Sequence, residues 1–315
     1  MKNEFDRHFE GFATFEEAAE GWLKIKSTET KESTAAQYRS IIQSIARSDA
    51  WRDKPLLYIN EDLLAELGEE ILQRYELRTA KLHILTINQV LKYAYDCGYI
   101  PKIMKMSPKT KPFKAVRPQV FSVSEQKMLT DYLLSDLDLN KLGVLICLYS
   151  GLRLGEICGL KWGDVDLKRQ TIRIARTIQR VSNGNGSTYM LTGTPKSEYS
   201  DREVPIPSFL NVILQQHAAS PECYVTTGTP VFTQPRTYQN IIKRYYKECE
   251  IPQYHFHTLR HTFASRAIEL GFDPKSLSEI LGHSSVKITL DLYVHPSMEA
   301  KKKEMERFSE FVRLS

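Results

Sequence analysis

Apolar residues recur every three to four positions through the first hundred residues of the chain, the spacing that puts them on one side of a helix. Thr14-Phe-Glu-Glu17 has the spacing of a capping box, in which a hydroxyl and a carboxylate each satisfy the other's backbone N–H, and it opens an apolar-periodic run to about Lys26. Thr34 to Arg47 carries Tyr38, Ile41, Ile42 and Ile45 at helical spacing, and Glu61 to Gln73 carries Leu63, Leu64, Leu67 and Ile71. A fourth helix is expected over Arg78 to Asp96, ending at Gly98. The pattern then breaks at Pro101, Pro108, Pro112 and Pro118. Ser122-Val-Ser-Glu125 is a second capping box, and helix resumes through Leu134 and from about Lys141 to Ser150. Between Thr171 and Ile206 β-branched residues alternate around Asn183-Gly-Asn-Gly186, which predicts a small antiparallel sheet. From about Ser208 to Ser315 the pattern is helical again, punctuated by Gly271 and Gly282. The predicted fold class is mainly α with a small antiparallel β-sheet in the second domain, an α+β arrangement.

The 315 residues suffice for two domains, each with its own core. We expect a tail over 1–12, a helical domain over 13–100, a linker over 101–118 and a second domain over 119–315 that ends in a helix over 297–312. Apolar residues make up 42% and charged residues 26%, with no apolar run long enough to span a bilayer and no legible secretory or transit signal, so a cytoplasmic protein without membrane contact is expected. Five scattered cysteines never form a CxxC pair, which fits reduced thiols. The net charge of +5 is a mild bias toward polyanions, concentrated in the linker. There Lys102, Lys105, Lys109, Lys111, Lys114 and Arg117 face no acidic residue, so the segment reads either as a solvated spacer or as a strap against nucleic-acid phosphates.

Four short segments carry candidate chemistry. In His257-Thr-Leu-Arg260-His261, the three polar residues share a helical face different from that of the stripe of Leu259, Phe263, Ala267 and Leu270. An imidazole beside a guanidinium suits a phosphate, because arginine forks onto two oxygens and histidine moves a proton near neutral pH. In Tyr149-Ser-Gly-Leu-Arg153-Leu-Gly-Glu156, Gly151 is placed to end one helix and Arg153 to project from the corner before the next. Thr194-Pro-Lys196-Ser sets Lys196 near a hairpin tip around Glu198 to Asp201. Leu281-Gly-His283-Ser-Ser precedes Tyr293 by ten residues, with Gly282 stopping a helix begun at Asp273-Pro274 and Ser285 capping one that carries Thr289 and Tyr293. Each alone also fits an ordinary polar surface or packing residue.

Their order changes the picture. Gly-Leu-Arg153-x-Gly-Glu156, Thr-Pro-Lys196-Ser, His257-x-Leu-Arg260-His261-Thr, Leu-Gly-His283-Ser and Leu-Tyr293-x-His resemble, across residues 119–315, the tyrosine recombinase or phage integrase family. The resemblance implies two domains clamping DNA, with 13–100 as the helical core-binding domain. It implies breakage and rejoining of DNA through a 3′-phosphotyrosine on Tyr293 and a Holliday junction, giving integration, excision or inversion of a DNA element. By the same resemblance Arg153 and Arg260 clamp the non-bridging phosphate oxygens, His283 adds a hydrogen bond, Lys196 protonates the leaving 5′ oxygen and His257 assists at the tyrosine. Glu156 and His261 support. Neither a cofactor nor a metal is implied, and no P-loop is present. Partners would be double-stranded DNA with specific sites and a homo-tetramer in the synaptic complex. The terminal helix, carrying Met298, Met305, Phe308 and Phe311, is expected to pack on a neighbouring subunit or on its own domain. With no room for an arm-binding domain before residue 14, simple sites are favoured. The competing readings are a metal site among His255, His257, His261, His283 and His295, a DNA-binding protein without catalysis, and a type IB topoisomerase.

Overall fold

The computed structural model describes residues 13–47, 54–108, 118–182, 187–193, 201–294 and, near the carboxy terminus, 298, 301–302, 305–306, 309 and 312. It divides into two compact units, residues 1–115 with 180–189, and residues 116–179 with 190–315.

Among its described residues the first unit is built on four α-helices, α1 (Phe15–Glu29), α2 (Glu32–Ala46), α3 (Glu61–Arg74) and α4 (Leu77–Asp96). Thr14 and Glu17 form the capping box at the start of α1, and Asn60 Oδ1 accepts the Leu63 N–H at 2.8 Å to cap α3. Phe15, Trp22, Ile41, Ile42, Leu64, Leu67, Ile71, Ile87 and Leu91 close one core. Trp22 meets Tyr38 edge-on at 5.1 Å between ring centroids. The segment expected to leave this unit at residue 101 stays on it for longer: Ile100, Met104 and Met106 are buried in the same core. Asn88 clamps the backbone there, accepting the Met106 N–H at 2.7 Å and donating to the Met106 carbonyl at 2.9 Å. Of the linker cations, Lys102 and Lys105 are exposed, and Lys109, Lys111, Lys114 and Arg117 lie outside the described residues.

The second unit is organised around α6 (Leu139–Ser150), which follows α5 (Val123–Ser135). Leu142 through Leu148 are all buried, as expected of a helix that is apolar all round. Helix α6 packs against α5, α7 (Leu154–Gly159), α8 (Ser208–His217), α9 (Pro235–Glu248) and α10 (His257–Glu269). After α7 come β1 (Val165–Asp166), β2 (Thr171–Arg173), β3 (Thr177–Ser182), β4 (Thr188–Gly193) and β5 (Glu203–Pro205). Among the described residues these make two antiparallel sheets rather than one: β1-β2-β5, and β3 paired with β4. Strand β1 lies outside the range expected from alternation, because two residues are too few to show a period. Two short helices, α11 (Pro274–Leu281) and α12 (Val286–Tyr293), complete the unit. Their small core joins Ala264, Ala267, Leu277, Leu281 and Tyr293. In the carboxy-terminal run, Met298, Met305 and Val312 are helical and exposed, and Phe308 and Phe311 lie outside the described residues. No helix among the described residues is long and apolar enough to cross a membrane.

Candidate active site

Two glycines place the site. Gly151 ends α6 at φ 69°, and Gly282 ends α11 at φ 64°, the left-handed conformation glycine adopts without steric cost. The turn after Gly151 delivers Arg153 to the N-cap of α7. The turn after Gly282 delivers His283, and Ser285 then caps α12 by accepting the Lys287 N–H at 3.2 Å. Thr289 and Tyr293, one turn apart on α12, are both buried.

The last carbonyls of a helix have no partner within it and carry the negative end of its dipole. At the end of α11, three consecutive carbonyls are taken by three arginines. Arg202 Nε donates to Ile280 at 2.6 Å, Arg260 Nη2 to Leu281 at 2.7 Å and Arg153 Nη2 to Gly282 at 2.8 Å. Arg260 also donates Nη1 to the Gly151 carbonyl at 2.8 Å, so both glycine corners are tied to one guanidinium. It is only 1% exposed, a depth the sequence pattern did not suggest for the polar face of α10. Burial, followed by the charge of Arg153, pulls its pKa down to about 9, which leaves it cationic at neutral pH. On the apolar face, Leu259 and Ala267 are buried, but Leu270 is 78% exposed, because α10 stops at Glu269 and Gly271 turns the chain.

One carboxylate balances this cluster. Glu156 is 4% exposed and receives Arg153 Nη1 at 2.7 Å, the Arg153 N–H at 2.8 Å, and Arg202 Nη1 and Nη2 at 3.1 Å each. Burial works to raise its pKa, but Arg202 and then Arg153 outweigh it and hold the group at about 2. Sequence reasoning passed over Arg202. The available signal was parity: Arg202 shares the inward face with Val204 and Ile206, whereas Asp201, Glu203 and Pro205 point outward.

The histidines sit under the field of these cations. Burial first, then Arg260 and Arg153, depresses His283 to about 3, and its Nδ1 lies 2.8 Å from the buried Thr289 hydroxyl. His257 and His261 are also shifted downward, by desolvation first and Arg260 next, so all three rings are neutral at pH 7. Tyr293 is 8% exposed, and burial raises its pKa against the opposing pull of Arg260 and Arg153. Its hydroxyl lies 2.6 Å from His261 Nδ1. The His283 ring lies nearly parallel to the phenol, with centroids 6.5 Å apart. His257 instead meets His261 edge-on at 4.9 Å.

Arg153, Glu156, His257, Arg260, His261, His283 and Tyr293 thus belong to one linked cluster, joined by Arg202. Lys196 lies outside the described residues. Among the described residues no three histidines, cysteines or acidic residues are gathered as a metal site. With two guanidiniums fixed beside neutral imidazoles and a phenol, the arrangement suits stabilising an anionic centre next to a hydroxyl nucleophile.

The family model described as the phage integrase family matches residues 119–300. A tyrosine recombinase XerC-like protein of Caldanaerobacter subterraneus subsp. tengcongensis is 30% identical over 266 residues, 72% of this chain. The match spans 66% of that protein, just under two thirds of its length. Among solved structures, a Tn1549 transposon integrase in complex with circular intermediate DNA superposes with a TM-score of 0.71 at 19% identity, covering 94% of this chain and 99% of that one. A lambda integrase from a tetramer bound to a Holliday junction gives 0.62 at 18% identity, over 92% and 80% of the two chains. Both share the fold.

Proposed function

The chain belongs to the phage integrase family, and from that premise we propose that it is a site-specific tyrosine recombinase. Tyr293 attacks a DNA phosphodiester, and a 3′-phosphotyrosine retains the bond energy, so no nucleotide cofactor is needed for rejoining. The observation that carries this reading is the seating of Arg260 and Arg153 on consecutive carbonyls, Leu281 and Gly282, in the turn that also supplies His283. A guanidinium has five N–H donors; the bonds above engage two of the Arg260 nitrogens and two of the Arg153 nitrogens, leaving donors for phosphate oxygens. Each such donor is worth about 3 kcal/mol to a charged transition state, by analogy with an oxyanion hole. Lys196 would protonate the leaving 5′ oxygen, and Glu156 holds the arginines in register.

Strand exchange follows when a free 5′-hydroxyl attacks the phosphotyrosine. Repetition on the second strand pair requires four protomers on two duplexes, and the related lambda integrase has been solved as a tetramer on a Holliday junction. In this reading the terminal run, exposed at Met298 and Met305, docks on a neighbouring subunit. The linker cations lie along DNA phosphates, and the outcome is integration, excision or inversion of a DNA element.

The test incubates the wild type and Tyr293→Phe, in EDTA, with nicked duplexes drawn from repeats flanking the gene. A denaturant-resistant adduct with the wild type alone supports the reading. Tight, specific binding with no adduct from either protein overturns it in favour of DNA binding without catalysis.

A further inference from the structure

The nucleophile needs a place to put its proton, and burial makes the Tyr293 phenol a weaker acid than a free one. Among the described residues one side chain is within hydrogen-bonding distance of its hydroxyl: His261, whose Nδ1 lies 2.6 Å away. That length is typical of a strong O–H···N contact, and a phenol that donates meets the lone pair of the tautomer protonated at Nε2. His261 is held by position as well. It sits one turn after His257 on α10, next to the buried Arg260, and its ring is 5.8 Å from the phenol ring between centroids. Two other imidazoles are near, but their contacts differ. The Nδ1 of His283 is engaged by Thr289 at 2.8 Å, and His257 presents its ring to His261, not to the phenol.

We propose that His261 accepts the Tyr293 proton during strand cleavage and returns it during religation, a catalytic role that rests on the recombinase reading above. As the Oη–phosphorus bond forms, the phenolic proton passes to His261 Nδ1. The bond from phosphorus to the 5′ oxygen breaks, and that oxygen leaves with a proton from the acid, Lys196 in the reading above. Religation runs the steps backward: the 5′-hydroxyl attacks phosphorus and gives its proton back to the Lys196 amine of the reading above, the bond from phosphorus to Oη breaks, and the His261 imidazolium returns its proton to the departing Tyr293 phenolate. No electron transfer or further reactant is needed. Among the described residues, the charged and titratable groups in contact with His261 or shifting it are His257 and Arg260 on its own helix and Tyr293 on α12. The two cationic arginines that would bind the phosphate thus leave the proton to a neutral ring. His257, expected from the resemblance to serve the tyrosine, is the edge-on neighbour of that ring.

The experiment measures single-turnover cleavage of a nicked duplex carrying a repeat from the flanks of the gene. His261→Ala is expected to lose about 10²- to 10⁴-fold in the rate of adduct formation, the range of a general base, while binding the same duplex as the wild type does. Added imidazole should restore part of the rate in His261→Ala and leave His257→Ala unrescued. Replacing Tyr293 with a ring-fluorinated tyrosine of lower phenol pKa should shrink the His261→Ala defect at least tenfold, a change that a merely structural defect would not show. Cleavage by His261→Ala within threefold of the wild type overturns the assignment. So does a defect that neither imidazole nor the fluorinated phenol relieves. If the wild type itself forms no adduct on a duplex it binds tightly, the recombinase reading fails, and this role fails with it; the two failures are told apart by the wild-type lane.

Discussion

Arg202 forks onto Glu156, with each of its two terminal nitrogens 3.1 Å from a different carboxylate oxygen. The pair is almost sealed from water, at 7% and 4% side-chain exposure, and it fastens the start of the β5 strand to the first turn of α7. Removing one partner leaves the other charge buried and uncompensated, which costs about 3–5 kcal/mol. Arg202→Ala is therefore expected to lower the urea midpoint of the second unit strongly, and Arg202→Met with Glu156→Gln to recover much of the loss. The pair also sets an acid limit. Glu156 titrates at about 2 in the fold against 4.5 as a free group, so its stabilisation is complete above pH 4.5 and is lost as pH falls toward 2. An unfolding series from pH 6 to pH 2 reads that loss as a slope that Glu156→Gln abolishes.

Gly151 and Gly98 have the same left-handed backbone, φ 69° and 74°, but different surroundings. A Cβ at Gly151 would lie 2.6 Å from Phe263 Cδ1 and 2.8 Å from Leu281 Cδ2, whereas one at Gly98 would meet nothing within 4 Å. Gly98→Ala should cost only the left-handed penalty, about 1 kcal/mol. Gly151→Ala adds overpacking of roughly 1–3 kcal/mol and displaces the carbonyl that holds Arg260, so adduct formation should fall as well. Equal thermal shifts for the two variants would show that the corner tolerates a methyl group and that the packing argument is wrong.

Those corners also mark what the sequence made legible. Gly151, Gly282, both capping boxes and Ser285 could be placed because each acts within one turn of chain. Arg202 is harder to single out, since it sits in Ser200-Asp-Arg-Glu203, a charged stretch in which only its parity with Val204 and Ile206 marks it as inward-facing. Its burial depends on α11 arriving from 78 residues away. Leu270 failed in the opposite direction: period alone assigns it to the core, yet the helix ends one residue earlier. The backbone of Met106 is held by Asn88, eighteen residues upstream, and no local rule reports such a clamp. The grouping of arginines on one helix end was likewise a tertiary result, although every arginine but Arg202 had been named.

His283 should make the protein acid-sensitive in a higher window than Glu156 does. Its ring resists protonation until about pH 3 in the fold, whereas an unfolded histidine takes a proton near 6.5. Between these values the unfolded chain binds more protons, so stability is full above pH 6.5 and falls as pH drops toward 3. One such group contributes a slope of about 1.4 kcal/mol per pH unit at most. His283→Asn should flatten the stability profile between pH 6 and 4 by close to that amount. An unchanged profile would mean that the ring is already solvated and charged in that range.

The described part of the basic segment divides its two cations. Lys105 is exposed between the buried Met104 and Met106, and Asn88 holds both the N–H and the carbonyl of Met106 next to it, so its backbone is anchored before any DNA arrives. Lys102 is paired with Glu61 at 3.1 Å on an exposed surface, and it must give up that partner to meet a phosphate. If the segment lies along DNA, Lys105→Ala should reduce the slope of log K against log salt by about 1, the value for one lost phosphate contact. Lys102→Ala should change it by less than half as much. Asn88→Ala should weaken binding without altering the slope, because it loosens the strap and removes no charge. Filter binding at several salt concentrations on a flanking-repeat duplex separates these outcomes. A Lys105→Ala slope equal to that of the wild type would assign this stretch to spacing between the units, with the phosphate contacts made elsewhere.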